Sequence, residues 1–240
     1  MSKYALFQFK EFSVNQEKCA MKIGTDAILL GAWATSSMEN PKVLDIGCGS
    51  GLISLMLAQR FKDAEVTGID IDEGAFEQSK ENFMNSPWYN RLDAQIGDFR
   101  TAAFSSSFDL IVSNPPYFEN ALKAETKERN LARHTDSLSL HQLIEKVSKL
   151  LSRDGTFCMI YPIEALDEII SLAELHQLYI SDLRIVHHNA NKKAKRLLIA
   201  LQKKAINNKI EGKPFYIRAN HNNDYSEEYQ NLTKSFHPFL

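Results

Sequence analysis

Four consecutive residues, Asn114-Pro115-Pro116-Tyr117, combine types suited to holding a planar amine. Adjacent prolines remove two backbone donors and fix the chain in an extended form, so the carbonyls there act only as acceptors. The Asn114 side-chain oxygen and the Pro115 carbonyl can hold both hydrogens of an NH2 group on a platform that Pro116 stiffens, and Tyr117 offers a face to a flat substrate. A conjugated amine is a poor nucleophile because its lone pair is delocalised. Holding its hydrogens on two acceptors aims the lone pair at an electrophile and stabilises the positive charge that grows on nitrogen. No strong general base is required, since the proton can leave after the new bond has formed. Standing alone, the tetrapeptide reads better as a rigid turn at the end of a strand.

A second cluster changes that balance. Asp45-Ile46-Gly47-Cys48-Gly49-Ser50-Gly51 sits where a strand turns into a helix, and glycines there let the backbone approach a ligand beside the donors of the helix start. Asp45 closes the first strand and Asp70, followed by Ile71, closes the next, at the spacing of a carboxylate that accepts from ribose hydroxyls. Counting from Gly47, the sixth position is Leu52 where a dinucleotide fingerprint needs Gly or Ala, and no Gly-Lys-Ser/Thr of a P-loop occurs. The loop suits a nucleoside without a pyrophosphate cradle.

These residues need a sheet to bring them to one edge. From Lys42 onward, short β-rich runs alternate with helix-period stretches, the pattern of an α/β domain with a mostly parallel sheet. Strands are predicted over Lys42–Ile46, Ala64–Asp70, Arg91–Ile96, Ser107–Ser113 and Gly155–Tyr161. Helices are predicted over Gly51–Phe61, Glu73–Met84, Ser139–Leu151 and Glu164–Leu175. Tyr179–His187 and Lys195–Leu201 are separated only by His188–Ala194, too short for a crossover helix, so an antiparallel hairpin is predicted. Thr25–Ala34 reads as a helix capped by Thr25 or Asp26, and the polar tail from Asn207 as a strand and then a helix.

The 240 residues carry a formal charge of −2 and are 44% hydrophobic, which excludes a collagen-like, disordered or disulfide-stapled chain. Cys19, Cys48 and Cys158 form no close pair, so neither a disulfide framework nor a zinc site is expected and no metal is called for. Met1–Lys10 has no apolar core of a leader, and no apolar run approaches a bilayer span, so a cytoplasmic protein with no membrane partner is predicted.

The loop Asp-x-Gly-x-Gly-x-Gly resembles motif I of the class I S-adenosylmethionine-dependent methyltransferases. That resemblance implies a Rossmann-like fold: a seven-stranded, mostly parallel sheet with an antiparallel terminal hairpin and helices on both faces. It implies S-adenosyl-L-methionine as cofactor, held by Asp45, Gly47, Gly49, Gly51, Asp70, Ile71 and Asn114, with Asp98 on the adenine amine and Phe99 flanking the ring. Asn-Pro-Pro-Tyr marks the amino-methyltransferases, which act on exocyclic amines of nucleobases or on a glutamine amide. The 44 residues before Asp45 leave no space for the helical domain of the glutamine-specific members, nor any interval for a DNA target-recognition insertion.

Nearly the whole chain is similar to the bacterial tRNA1(Val) adenine-N(6)-methyltransferases. The similarity runs through Phe9–Gln16, Met21–Trp33, the glycine loop, the Asn-Pro-Pro-Tyr, Ala132-Arg133-His134 and Tyr225–Phe236. It implies methyl transfer to the adenine 3′ of the anticodon, a monomer, and one domain with an N-terminal extension (1–41), a core (42–205) and a C-terminal addition (206–240). It also places Lys22 and Thr25, in a segment running to Asp26, over the methionine end of the cofactor. Guanine or glutamine-amide methylation and a non-catalytic RNA-binding module stand as alternatives. Phe118–Asn130 is predicted to be a mobile flap, with Arg129 or Arg133 on phosphate, and His134 is kept out of the catalytic set.

Leu183–Ile210 holds eight basic residues and no acid. Without them the other 212 residues carry 20 basic against 30 acidic side chains, a charge of −10, so near-neutrality averages an acidic body with one basic hairpin. Lys192, Lys193, Lys195 and Arg196 at its turn are predicted to track RNA phosphates.

Overall fold

The computed structural model describes residues 6–115, 138–205, 210–219 and 224–237. Their ten strands are β1 (Leu6–Gln8), β2 (Ser13–Asn15), β3 (Lys42–Ile46), β4 (Glu65–Asp70), β5 (Leu92–Ile96), β6 (Phe108–Ser113), β7 (Leu151–Pro162), β8 (Tyr179–His187), β9 (Arg196–Gln202) and β10 (Lys213–Tyr216). The α-helices are α1 (Thr25–Trp33), α2 (Leu52–Arg60), α3 (Glu73–Met84), α4 (Leu140–Leu150), α5 (Leu166–Leu175) and α6 (Glu227–Thr233).

Eight strands form one sheet in the order β10-β8-β9-β7-β6-β3-β4-β5, with β1 and β2 a separate hairpin. The β5-to-β7 part is parallel throughout, and β9 runs antiparallel to both β7 and β8. One transverse row reads Asp45, Val112, Cys158, Ala200, Asp182, which fixes the register across the middle of the sheet. Because β9 is reversed, its first residue, Arg196, lies at the edge where β3, β4, β5 and β6 end. His187 and Tyr216, at the ends of β8 and β10, reach that edge too.

The expected count of seven is corrected to eight. Lys213–Tyr216 lies parallel to β8, with Pro214 opposite Ile185, and proline fits there because an edge strand leaves one side unpaired. β7 starts at Leu151 rather than Gly155. Its pairing with β6 skips between Phe108–Leu151 and Leu110–Thr156, and a Cβ on Gly155 would stand 2.9 Å from the Phe108 carbonyl oxygen. The hairpin β1–β2 was not anticipated; its Phe9, Phe12 and Val14 are buried against α1, α2 and α3.

Apolar side chains of α4 and α5, among them Leu143, Ile144, Val147 and Ile169, bury one face of the sheet. Leu29 and Leu30 of α1, Ile53 and Leu57 of α2 and Tyr229 of α6 bury the other. A capping box starts α4, with Ser139 Oγ accepting from the Gln142 amide at 3.2 Å and Gln142 Oε1 accepting from the Ser139 amide at 3.1 Å. Asp72 caps α3 through the Ala75 amide at 2.8 Å. Arginines close two helix C-termini: Arg60 donates to the Gly31 carbonyl of α1 and the Ala34 carbonyl just past it, and Arg91 to the Ala58 carbonyl of α2 and those of Phe61 and Ala64 after it. No helix among the described residues is long and apolar enough to cross a membrane.

Candidate active site

The turn between β3 and α2 is held left-handed at three positions, with φ of 70° at Gly47, 56° at Gly49 and 78° at Gly51. A Cβ added to Gly47 or Gly49 would meet nothing within 4 Å, so the backbone there faces open space. Gly51 is different: a Cβ would strike Phe83 of α3 at 2.4 Å, and no side chain fits. The amides of Gly47 and Cys48 donate to the Ile69 carbonyl at 2.8 and 3.2 Å, tying the loop to the end of β4.

Asp70 organises this edge. One carboxylate oxygen accepts from the Gly49 amide at 2.8 Å and the other from the Asp72 amide at 3.0 Å. Its carbonyl receives the Gly97 amide at 2.9 Å and draws the end of β5 alongside. Ile71 follows it with 62% exposure and Ile96 has 52%, an apolar rim beside a half-buried carboxylate.

Asp45 lies beneath the loop, fully buried. Its Oδ2 accepts from the Ser54 amide at 3.1 Å and hydroxyl at 2.7 Å, while Oδ1 has no hydrogen-bond partner in the structure. Burial pushes its carboxyl up to about 7 against the pull of both Ser54 bonds. It therefore positions the first turn of α2 from below.

Asp98 and Arg100 form a pair within one turn. Arg100 Nε donates to both carboxylate oxygens at 3.0 and 2.8 Å and Nη2 lies 2.7 Å from Oδ2, so the guanidinium holds the Asp98 carboxyl below its ordinary range. Phe99 is buried rather than open to a ligand. Its ring lies 6.3 Å from Phe104, with the Lys146 ammonium 5.0 Å above it. Lys146 also donates to the Phe99 and Ala102 carbonyls, fixing the turn after Asp98 from α4.

Asn114 is half-buried one residue beyond β6, and Pro115 is buried. Ser113 Oγ donates to the Ile46 carbonyl at 2.9 Å, and Ser113 and Ile46 are register partners. Asn114 and Gly47 thus leave adjacent strands side by side, about one ~4.8 Å strand spacing apart. Pro116, Tyr117, the Phe118–Asn130 stretch, Arg133 and His134 lie outside the described residues.

The remaining candidates divide. Lys22 turns to its own loop, with Nζ donating to the Gln16 carbonyl at 2.6 Å and the Cys19 carbonyl at 3.0 Å. Thr25 is the first helical residue of α1 and makes no cap bond; Gly24 occupies the cap position, which corrects the expected cap. Asp26 accepts from Arg196 Nε at 3.2 Å, so a residue assigned to phosphate is also a structural partner. Lys192, Lys193 and Lys195 are exposed in the turn between β8 and β9, at the same edge as the glycine loop. Ser54, Arg100, Ser113 and Lys146 escaped the sequence reading, because only the fold places them against the motif residues.

The edge fits S-adenosylmethionine by its donor set. A glycine backbone open to close approach, an apolar rim at Ile71 and Ile96, and carboxylates at Asp70 and Asp98 match a nucleoside that carries hydroxyls and an exocyclic amine. Among the described residues no group of three or more His, Cys, Asp or Glu side chains is placed to hold a metal ion.

Known proteins agree with this architecture. A protein of Agrobacterium tumefaciens described as a predicted O-methyltransferase superposes with a TM-score of 0.65 over 88% of this chain and 96% of its own, at 17% identity. The ribosomal protein L11 methylase of Lactobacillus delbrueckii subsp. bulgaricus gives 0.57 over 80% and 84%, also at 17% identity. Residues 20–167 match the methyltransferase small domain. The tRNA1(Val) (adenine(37)-N6)-methyltransferase of Bacteroides thetaiotaomicron is 40% identical over 98% of this chain and 98% of its own, and that of Bacteroides fragilis 43% over 96% and 97%. That of Pseudoalteromonas translucida is 40% identical over 96% and 97%. The chain belongs to the tRNA1(Val) (adenine(37)-N6)-methyltransferase family.

Proposed function

We propose that this protein transfers a methyl group from S-adenosylmethionine to the exocyclic amine of adenine 37 of tRNA1(Val), acting on tRNA in the cytoplasm as one methyltransferase domain. The observation that carries the reading is the Ser113–Ile46 hydrogen bond, which sets Asn114-Pro115 beside the open glycine loop. When bound, the cofactor supplies an electrophilic methyl on a sulfonium.

Asn114 Oδ1 and the Pro115 carbonyl accept the two amine hydrogens and aim the nitrogen lone pair. A cofactor held at the glycine loop would supply that methyl to the amine nitrogen aimed by Asn114 and Pro115, the S–C bonding pair staying on its sulfur. As nitrogen becomes positive its hydrogens grow more acidic, so the same two acceptors bind more tightly at the transition state than before it. The extra proton departs afterwards to solvent. Tyr117 is the stacking face for the extruded base, and Asp70 the acceptor for ribose hydroxyls. Ile71, the exposed apolar side chain at the rim, takes the ring-flanking role first assigned to Phe99. The segment Lys22–Asp26 lies over the methionine end of the cofactor. Lys192, Lys193 and Lys195 meet phosphates of the anticodon arm.

The test is nucleoside analysis of tRNA from cells with and without the gene, paired with labelled cofactor and purified tRNA in vitro. N6-methyladenosine at position 37 should vanish from tRNA1(Val) on deletion and reappear with the purified protein. Label in guanosine or in protein, with none in adenosine, would overturn the assignment.

A further inference from the structure

The segment from Asn15 to Asp26 has two anchors. At its start, Asn82 of α3 accepts from the Asn15 amide at 2.9 Å and donates through Nδ2 to the Asn15 carbonyl at 2.7 Å and the Ser50 carbonyl at 2.8 Å. One buried amide thus ties the segment to the glycine loop. Gln78 Oε1 adds a bond from the Lys18 amide at 3.1 Å, Gln16 Oε1 accepts from the Ile23 amide at 2.7 Å, and Lys22 gathers the carbonyls between.

At its other end the segment becomes α1, whose Asp26 meets Arg196 at the first residue of β9. The side chains are 27% and 17% exposed, so the pair is shielded well enough to exceed a surface salt bridge. Arg196 Nη1 also donates to the Lys195 carbonyl at 3.0 Å, which accepts from the Ile163 amide at 3.2 Å as well. From β4 to β9 the sheet order crosses four strand spacings, ~19 Å, which an extended chain of this length bridges with slack. The strap therefore links the glycine loop to the base of the lysine turn.

We infer that Asp26 and Arg196 are positioning residues that couple RNA binding at the Lys192–Lys195 turn to cofactor binding under the Asn15–Asp26 strap. The inference rests on the functional reading above. Phosphates that hold the turn also hold the Lys195 carbonyl and Arg196, and Arg196 holds the C-terminal end of the strap. Cofactor then meets a strap already ordered at both ends and loses less conformational entropy on binding. By linkage the cofactor tightens RNA by the same factor.

The test measures affinity for S-adenosylhomocysteine, which cannot react, with and without saturating tRNA1(Val). Couplings of this kind run from about five-fold upward, and tRNA should tighten binding to the wild-type chain by at least that much. Arg196→Gln and Asp26→Asn should each bring the ratio close to one, with Arg196→Lys retaining much of it. A purely structural role would shift both affinities together and leave the ratio unchanged. Amide hydrogen exchange offers a second measurement: tRNA alone should slow exchange of residues 16–24 in the wild-type chain and leave Arg196→Gln unaffected. A wild-type ratio of one, or variants that keep the wild-type ratio, overturns the coupling. A wild-type chain that methylates tRNA with a ratio of one loses only the coupling, whereas one that neither binds nor methylates tRNA loses the functional reading with it.

Discussion

The β3-to-β6 half of the sheet edge and the β7-to-β10 half handle polar groups in opposite ways. On the first half the acidic side chains are already engaged: Asp45 with Ser54, Asp70 with the Gly49 amide, Asp98 with Arg100. On the second half Lys192, Lys193 and Lys195 stand exposed on a turn shaped by backbone and Asx contacts such as Asn189 Oδ1 accepting from the Asn191 amide at 3.2 Å. On the proposed function the contrast follows from what each half would bind. A small cofactor must place one methyl within bonding reach, so its site is pre-organised; a polyanion can be gripped by charge alone, and a flexible ammonium serves.

The largest effect should come from breaking the first half at its reacting end. Asn114→Ala removes one of two acceptors, a change comparable with deleting one oxyanion-hole donor, and turnover should fall roughly a hundred- to a thousand-fold. Cofactor affinity, measured by calorimetry, should change far less than turnover, since Asn114 is one of several residues assigned to the cofactor and the glycine loop and Asp70 are untouched. Turnover within a few-fold of wild type would remove the acceptor mechanism. The second half should respond differently: replacing Lys192, Lys193 and Lys195 by Ala should weaken tRNA binding and lower the slope of log K against log salt by about one for each lysine that meets a phosphate. Cofactor affinity without RNA should not change. A triple variant with the wild-type salt slope would show that the turn is no RNA contact and that the contrast between the halves has another origin.

The two halves were also unequally legible. Strands β3 to β6 and helices α1 to α5 match the predicted spans within a residue or two, because β3 and β6 are short apolar runs covered on both faces and a helix such as α4 buries one face only, through Leu140, Leu143, Ile144 and Val147. The hairpin of β8 and β9 followed from its short link. The tail from Asn207 was legible as a strand and then a helix, but not the pairing of β10 with β8, and the three-residue strands of the hairpin β1–β2 are too short for a period to emerge. Within the site, the motif residues were legible because their types alone imply chemistry. Partnerships such as Asp26 with Arg196, 170 residues apart, were not, since a charge in a sequence does not say which opposite charge it will meet. The three carbonyls of its own loop that hold the Lys22 ammonium were not legible either, for the same reason.

The smallest effect probes the deepest member of the first half. In an unfolded chain Asp45 titrates near 3.8, and in the folded one burial raises it to about 7. Below both values the carboxyl is protonated in either state and contributes no pH dependence. Between them the unfolded chain releases its proton while the folded chain keeps it, so the wild-type protein loses stability as pH rises from about 4 to about 7, then loses no more from this group. Asp45→Asn keeps an oxygen for the Ser54 amide and hydroxyl but has no proton to lose. The melting temperature of the wild-type chain minus that of Asp45→Asn should therefore fall by a few degrees across that range and level off above it. A difference that stays flat would mean that Asp45 is ionised in the folded chain throughout and that the loop tolerates a buried charge. The first half would then be held by charge, as the second is, instead of by hydrogen bonds made in advance.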